Sequence, residues 1–369
     1  MSLTASVVIA SWGRPALLRR ACLSVYQQDH RPLELVVVAD AEGLAAVAGL
    51  PFGDRIKTAP QRSAGLATAR NEGVALASGE VCAFLDDDAA AEPTWLRRHV
   101  AAIAGGEDAA TGPTLGRNGI TRQWGAAAVT GTLGDRALPD DGAPGAGEAL
   151  KLIGTNMAVR RGVLAALGGF DPAFRYYLDD TDLSLRLALA GHKARFVPDA
   201  RVHHASAANA TRGADRTPRD LTDLGMSAAH FLAKHGGAGA AEALQRFEAQ
   251  QIARIDRSRL DPAVAAAAAA SLRAGLRHRA EAERVAIGRG PGFLPLREDA
   301  PRRPTTFHGR WPAFRNRTAA AAAIAAAGHP AYALILGHTM RAHRLRFTEG
   351  GFWLQTGGLF GRADRSGPR

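Results

Sequence analysis

Val81-Cys82-Ala83-Phe84-Leu85-Asp86-Asp87-Asp88 passes from an unbroken apolar run into three adjacent carboxylates. The apolar part reads as a buried strand. In open α/β sheets, ligands gather beyond the carboxyl ends of the strands, and that is where these acids fall. Three neighbouring carboxylates repel one another unless a cation or solvent relieves them. Asp86 and Asp88 are two apart, so in extended chain they face the same way. Two same-facing hard oxygen ligands suit Mg²⁺ or Mn²⁺, with phosphate oxygens completing the shell. A solvated acidic turn is the other reading that the spacing allows.

Working outward, the same kind of apolar run recurs at 6–10 and 33–38. Between them Pro15 suits a first helical turn, and Leu17, Leu18, Cys22 and Val25 give a helix to about Gln27. A second helix is expected over 67–76. Strands that alternate with helices and are apolar throughout imply a mainly parallel sheet covered on both faces. Residues 105–148 are rich in Gly, Ala, Asp and Pro and read as a long connection with one or two strands. Order returns at 151–157 and in a helix from about Arg161. A second helix, with an acidic first turn, opens at Asp179-Asp180-Thr181-Asp182. Short strands at 196–198 and 200–202 lead to His203-His204. From about 215 the pattern turns helical: 218–235, 238–255, 262–287, 318–327 and 330–345, with a Pro/Arg-rich linker at 291–304. The division expected is 1–214 for an α/β domain and 215–369 for a basic, mainly helical region.

The net charge of the 369 residues is +11, and its placement matters more than its size. Residues 1–210 hold 21 basic and 22 acidic residues, and the remainder holds 25 and 13. The basic character therefore belongs to the C-terminal part. It suits reversible contact with an anionic membrane surface or a charged acceptor; docking on the first domain or a homodimer are the alternative uses. The clustered arginines match no nucleic-acid reading module, so no nucleic acid is expected. Cys22 and Cys82 lack metal spacing and fit a reducing compartment. There is no signal-peptide pattern and no run of about 18 apolar residues. A cytoplasmic protein, peripheral to the inner face of the plasma membrane, is the expectation.

Taken in order, these pieces resemble glycosyltransferase family 2, inverting enzymes of the GT-A fold that use nucleotide-sugar donors. The residues that carry the resemblance are Val7-Val8-Ile9 with Arg14-Pro15, Leu35 to Val38 with Asp40, and Ala69-Arg70-Asn71-Glu72-Gly73. They continue with Ser78-Gly79-Glu80, the Phe84 to Asp88 run, Gly154-Thr155-Asn156-Met157, Gly168-Gly169-Phe170-Asp171, and Asp179 to Leu183 with Arg186-Leu187. The match spans roughly residues 4–210. It implies a GT-A-like nucleotide-binding sheet flanked by helices.

The resemblance also implies roles. Asp86 and Asp88 would hold Mg²⁺ or Mn²⁺ at the donor diphosphate, with Asp87 beside them. Ser11, Arg14, Asp40, Arg70, Asp86, Asp87 and Asn156 would contact the donor. Asp180, with Asp179 beside it, would be the general base that takes the acceptor hydroxyl proton. Without the resemblance these acids would simply complement a helix dipole. A histidine after this helix serves some relatives as a metal ligand; His204 fits that position and His203 adjoins it.

The chain departs from the family at three points. Ala39 stands where a first acid is common, leaving Asp40 alone for the base contact. Trp12-Gly13 replaces an aromatic-Asn pair. The Gln-x-x-Arg-Trp motif of processive synthases is absent. The expected reaction is a single sugar transfer to a hydroxyl of a glycan or lipid-linked acceptor, with inversion, in cell-surface polysaccharide synthesis. A sugar-nucleotide nucleotidyltransferase and a non-catalytic nucleotide-sugar or glycan-binding scaffold are the alternatives. The first wants a Gly-rich phosphate loop that residues 11–15 do not supply.

Overall fold

The computed structural model describes residues 2–62, 65–205, 207, 211, 213, 217–278, 287–288 and 290–363. The apolar runs form the middle of a seven-stranded sheet. Its order is Ala194–Phe196, Ala109–Thr111, Met157–Arg160, Val81–Phe84, Ala5–Ser11, Leu33–Ala39 and Ile56–Pro60. Neighbours are parallel except at Met157–Arg160, which runs against both of its partners. Alternate residues of the strands feed opposite layers. Val7, Ile9, Leu35 and Val37 pack with Leu18, Cys22 and Val25 of the helix Pro15–Tyr26. Val8, Val36 and Phe84 pack on the other side with Val74, Leu183 and Leu187. Gly73 lets the helix Leu66–Leu76 lie close on this face, because a Cβ there would collide with the Val8 side chain.

The opposite end of the sheet from the acids is pinned by Glu34, which is fully buried. It accepts from Ser6 Oγ at 2.6 Å and pairs with Lys57 Nζ at 2.8 Å. The Leu294 N–H also donates to it, and the Leu296 N–H donates to the Leu33 carbonyl. The start of the expected Pro/Arg-rich linker is therefore fastened to the sheet. The connection 105–148 is also more structured than expected, with five short strands among Ala109–Thr111, Thr114–Leu115, Arg122–Trp124, Ala127–Val129 and Asp135–Ala137.

Four of the five expected C-terminal helices form, at Thr222–His235, Ala240–Arg257, Pro262–Leu276 and Phe314–Ala326. The helix expected over 262–287 is shorter, ending at Leu276, and Ile287 is not helical; the domain boundary expected at 214/215 falls on residues outside those described. The first three of these helices share a core with the α/β part of the chain: Phe231, Leu232, Phe247 and Leu272 surround Phe174, Leu178 and Leu185. A charge network fixes this contact. Asp171 accepts from His230 at 3.0 Å and Lys234 at 2.7 Å, and Asp182 meets Lys234, His235 and Arg186 at 2.7 to 2.8 Å.

The helix expected over 330–345 is a correction. Residues Ala331–Gly337 and Arg344–Phe347 are strands of a four-stranded sheet, ordered Thr305–Arg310, Ala331–Gly337, Trp353–Gly358, Arg344–Phe347. Ala, Leu and Ile in 331–336 suit either state, and tertiary packing decides: Ala331, Ala333 and Ile335 are buried on one face against the helix Phe314–Ala326. Trp353 joins this sheet to the strand Val202–His204, with its ring 4.6 Å from His203 and 5.0 Å from Phe347.

Trp353→Ala removes a fully buried ring at this junction and is expected to cost about 3–5 kcal/mol, read as a lower midpoint in urea unfolding. Burial pushes the Asp171 carboxyl up, but bonds from His230 and Lys234 outweigh it and hold it below the usual carboxylate range. A depressed acid stabilises above its unfolded pKa, and that contribution fades as pH falls below about 4. Asp171→Asn should flatten the acid limb of the stability profile, while leaving a lower plateau at neutral pH.

Candidate active site

The strand Val81–Phe84 delivers its acids to the carboxyl edge of the sheet, and the strand Val202–His204 ends beside them. Asp86, Asp88 and His204 each offer one ligand atom, all within 4.8 Å of one another. His204 Nε2 lies 3.2 Å from Asp88 and 3.9 Å from Asp86. Its Nδ1 faces Gln123 Oε1 at 3.3 Å, and the Trp124 ring lies 5.2 Å away, which orients the imidazole. Two hard oxygens and one imidazole fit a divalent first-row ion. Burial raises Asp88, yet its bond to His204 and the Arg14 charge hold it below the ordinary range.

Asp87 lies in the turn that follows the strand and is fully buried. Burial raises its carboxyl to about 7 against the pull of Arg14. Arg14 pairs with it at 2.7 Å and Ser11 Oγ donates to it at 2.7 Å. The loop after the first strand is thus locked to the acid run rather than open.

Arg70 lies buried between two carboxylates. Nη2 meets Asp86 Oδ1 at 3.1 Å, and Nη1 meets Asp179 Oδ2 at 2.5 Å. Nη2 also donates to the Gly154 carbonyl at 2.9 Å. Asp179 opens the helix Asp179–Leu189 after two left-handed residues, Tyr177 and Leu178, which turn the chain sharply. Burial lifts Asp179 to about 6, opposed by Arg70 and reinforced by Asp180. Asp180 is half-buried and held in place: Oδ2 accepts from the Gly154 N–H at 2.8 Å, and Oδ1 from the Thr181 N–H at 2.7 Å.

Other residues singled out in the sequence sit elsewhere. Asp40 caps the helix Ala41–Ala48 through Gly43 N–H at 2.8 Å and also takes the Gly13 N–H at 2.6 Å. Asn156 is fully buried and its amide is saturated. The oxygen accepts from Trp95 Nε1 at 2.7 Å and His99 Nε2 at 2.8 Å, while the nitrogen donates to the Pro113 and Ala200 carbonyls. His203 turns to Glu92 at 2.9 Å, away from the acids. The signal for choosing between the two histidines was strand alternation, which sends adjacent side chains to opposite faces. Gln123 and Trp124 carried no sequence signal, and Thr155, whose hydroxyl takes the Asp86 N–H at 3.2 Å, stood in a recognised stretch but was given no role.

Among curated relatives, a glucosyl-dolichyl phosphate glucuronosyltransferase of Haloferax volcanii is 29% identical over 165 residues, 40% of this chain and 49% of the relative. An N-acetylglucosaminyl-diphospho-decaprenol L-rhamnosyltransferase of Mycobacterium tuberculosis is 33% identical over 119 residues, 32% of this chain and 34% of the relative. This chain thus spans half or less of the length of these relatives. The crystal structure of GalNAc-T7 with UDP, GalNAc and Mn²⁺ aligns with a TM-score of 0.48 at 22% identity, covering 62% of this chain and 48% of that one. The model of glycosyl transferase family 2 matches residues 6–168, from the first strand through the acid run to the turn before Phe170, and the chain is similar to that family over this segment.

Proposed function

We propose that the protein transfers a sugar, with inversion, from a nucleotide-sugar donor to a hydroxyl of a glycan or lipid-linked acceptor in cell-surface polysaccharide synthesis. One observation carries this reading: Arg70 joins the Asp86/Asp88/His204 cluster to the acidic helix start, so a donor site and a base lie side by side. The relatives' activities, on dolichyl- and decaprenol-linked substrates, support the acceptor class. Asp86, Asp88 and His204 would hold Mg²⁺ or Mn²⁺, which when bound neutralises charge on the departing nucleoside diphosphate. Arg70 adds a fixed positive charge on the same side. Asp180, partly exposed and anchored by two backbone N–H groups, would accept the acceptor hydroxyl proton as that oxygen attacks the anomeric carbon. Asp179, paired with Arg70, would serve as the buried counter-charge that keeps the guanidinium in place.

Ser11 and Arg14 would act on the donor through Asp87, by fixing the acid run. Asp40 retains a place in nucleotide binding as the cap that shapes the loop 11–14. The alternative of a nucleotidyltransferase finds little support, since this loop is tied to Asp87 rather than presented as a phosphate cradle.

Two tests separate the parts. Asp88→Ala and His204→Ala should each weaken Mn²⁺ binding by about tenfold or more in calorimetry, and EDTA should abolish donor turnover in the parent protein. Unchanged Mn²⁺ affinity in both variants overturns the metal assignment. Asp180→Asn keeps size and removes basicity; turnover should fall by roughly 10²–10⁴ with nucleoside diphosphate affinity nearly intact, measured across a donor panel. Normal turnover in Asp180→Asn with loss in Asp179→Asn moves the base by one residue.

A further inference from the structure

Residues 301–363 carry nine arginines, no lysine and a single acid, Glu349. In the C-terminal sheet the strands Thr305–Arg310, Ala331–Gly337 and Trp353–Gly358 are parallel, so the segments that follow them emerge at one end. Those segments bear four large apolar side chains in water: Trp311 is 54% exposed, Met340 82%, Leu359 46% and Phe360 70%. They form one surface. The Leu359 N–H donates to the Gly337 carbonyl and the Phe360 N–H to the Thr339 carbonyl. Trp311 covers Gly337 closely enough that a Cβ there would come within 3.1 Å of the indole. Exposed Arg310, Arg341 and Arg362 border them. Glu349 lies in the turn at the opposite end of the sheet, between Arg344–Phe347 and Trp353–Gly358.

A contiguous exposed patch of this kind needs an apolar contact, and its rim, cationic among the described residues, names the partner's charge. Trp and Phe flanked by arginines suit the boundary between acyl chains and anionic headgroups. We propose that this end of the C-terminal sheet docks on the surface of an anionic lipid bilayer, seating Trp311, Met340, Leu359 and Phe360 below the headgroups with the arginines at headgroup level. This goes beyond the transfer reaction above and does not depend on it. The sheet also touches the active-site region: the Leu345 N–H donates to the Asn118 carbonyl in the hairpin that carries Trp124, and Trp124 lies against His204. Docking here would bring that hairpin close to the membrane.

The test is flotation of the full chain with vesicles of phosphatidylcholine alone or mixed with phosphatidylglycerol. The expected result is binding to the anionic vesicles at low salt, fading as salt is raised. Met340→Ser/Phe360→Ser should abolish that binding with the thermal midpoint unchanged. Arg341→Gln/Arg362→Gln should reduce the partition coefficient by roughly thirtyfold at low salt. Equal binding to both vesicle types, or binding untouched by either pair, overturns the proposal. So does a concentration-dependent dimer in sedimentation velocity that Met340→Ser/Phe360→Ser dissolves, because the patch would then be covered by a second copy.

Discussion

A guanidinium buried between two carboxylates organises this site. Arg70 touches Asp86, which ends one strand run, and Asp179, which opens a helix about ninety residues later. Burying a charge is costly unless it is paired and fully hydrogen-bonded, and here the Gly154 carbonyl completes its partners. Removing Arg70 would leave Asp86 and the buried Asp179 without the cation between them. The helix Leu66–Leu76 can carry this arginine so deep because Gly73 lets it lie against the sheet, and because Asn71 fastens to both the N–H and the carbonyl of Phe170. Packing, turn and ion pair are therefore one arrangement.

The first half of the chain was legible because each physical signal there agrees with the others. Apolar runs of strand length, a proline at a helix start and acids at a strand end all point to one topology. Asp86 and Asp88 could be paired from their spacing, and His204 joined them through the family resemblance. The duties of Asn156 and Asp40 could not. An asparagine in a motif reads the same whether its amide faces a ligand or four protein groups, and only the tertiary partners decide. Arg70 was legible as a site residue but not as a bridge, since its span joins two segments far apart in sequence.

The C-terminal sheet was hidden for a different reason. Its central strand is Ala-Tyr-Ala-Leu-Ile-Leu-Gly, made largely of residues that helices also favour. Its alternation of buried and half-buried positions becomes visible only once the helix Phe314–Ala326 covers one face. The three helices before it were legible, because strong helix formers run through them with few strand signals.

The saturated amide of Asn156 has a consequence for how mutational scans of this chain should be interpreted. Aspartate is isosteric with asparagine, yet at this position its second oxygen would face the carbonyls of Pro113 and Ala200 with no proton to offer. Two acceptors would then oppose a third in a dry interior, and the mismatch would spread to Trp95 and His99 on the helix Trp95–Ala104. An inactive Asn156→Asp protein would thus be a folding defect that imitates a chemical one. The diagnostic is solubility and thermal midpoint, not turnover.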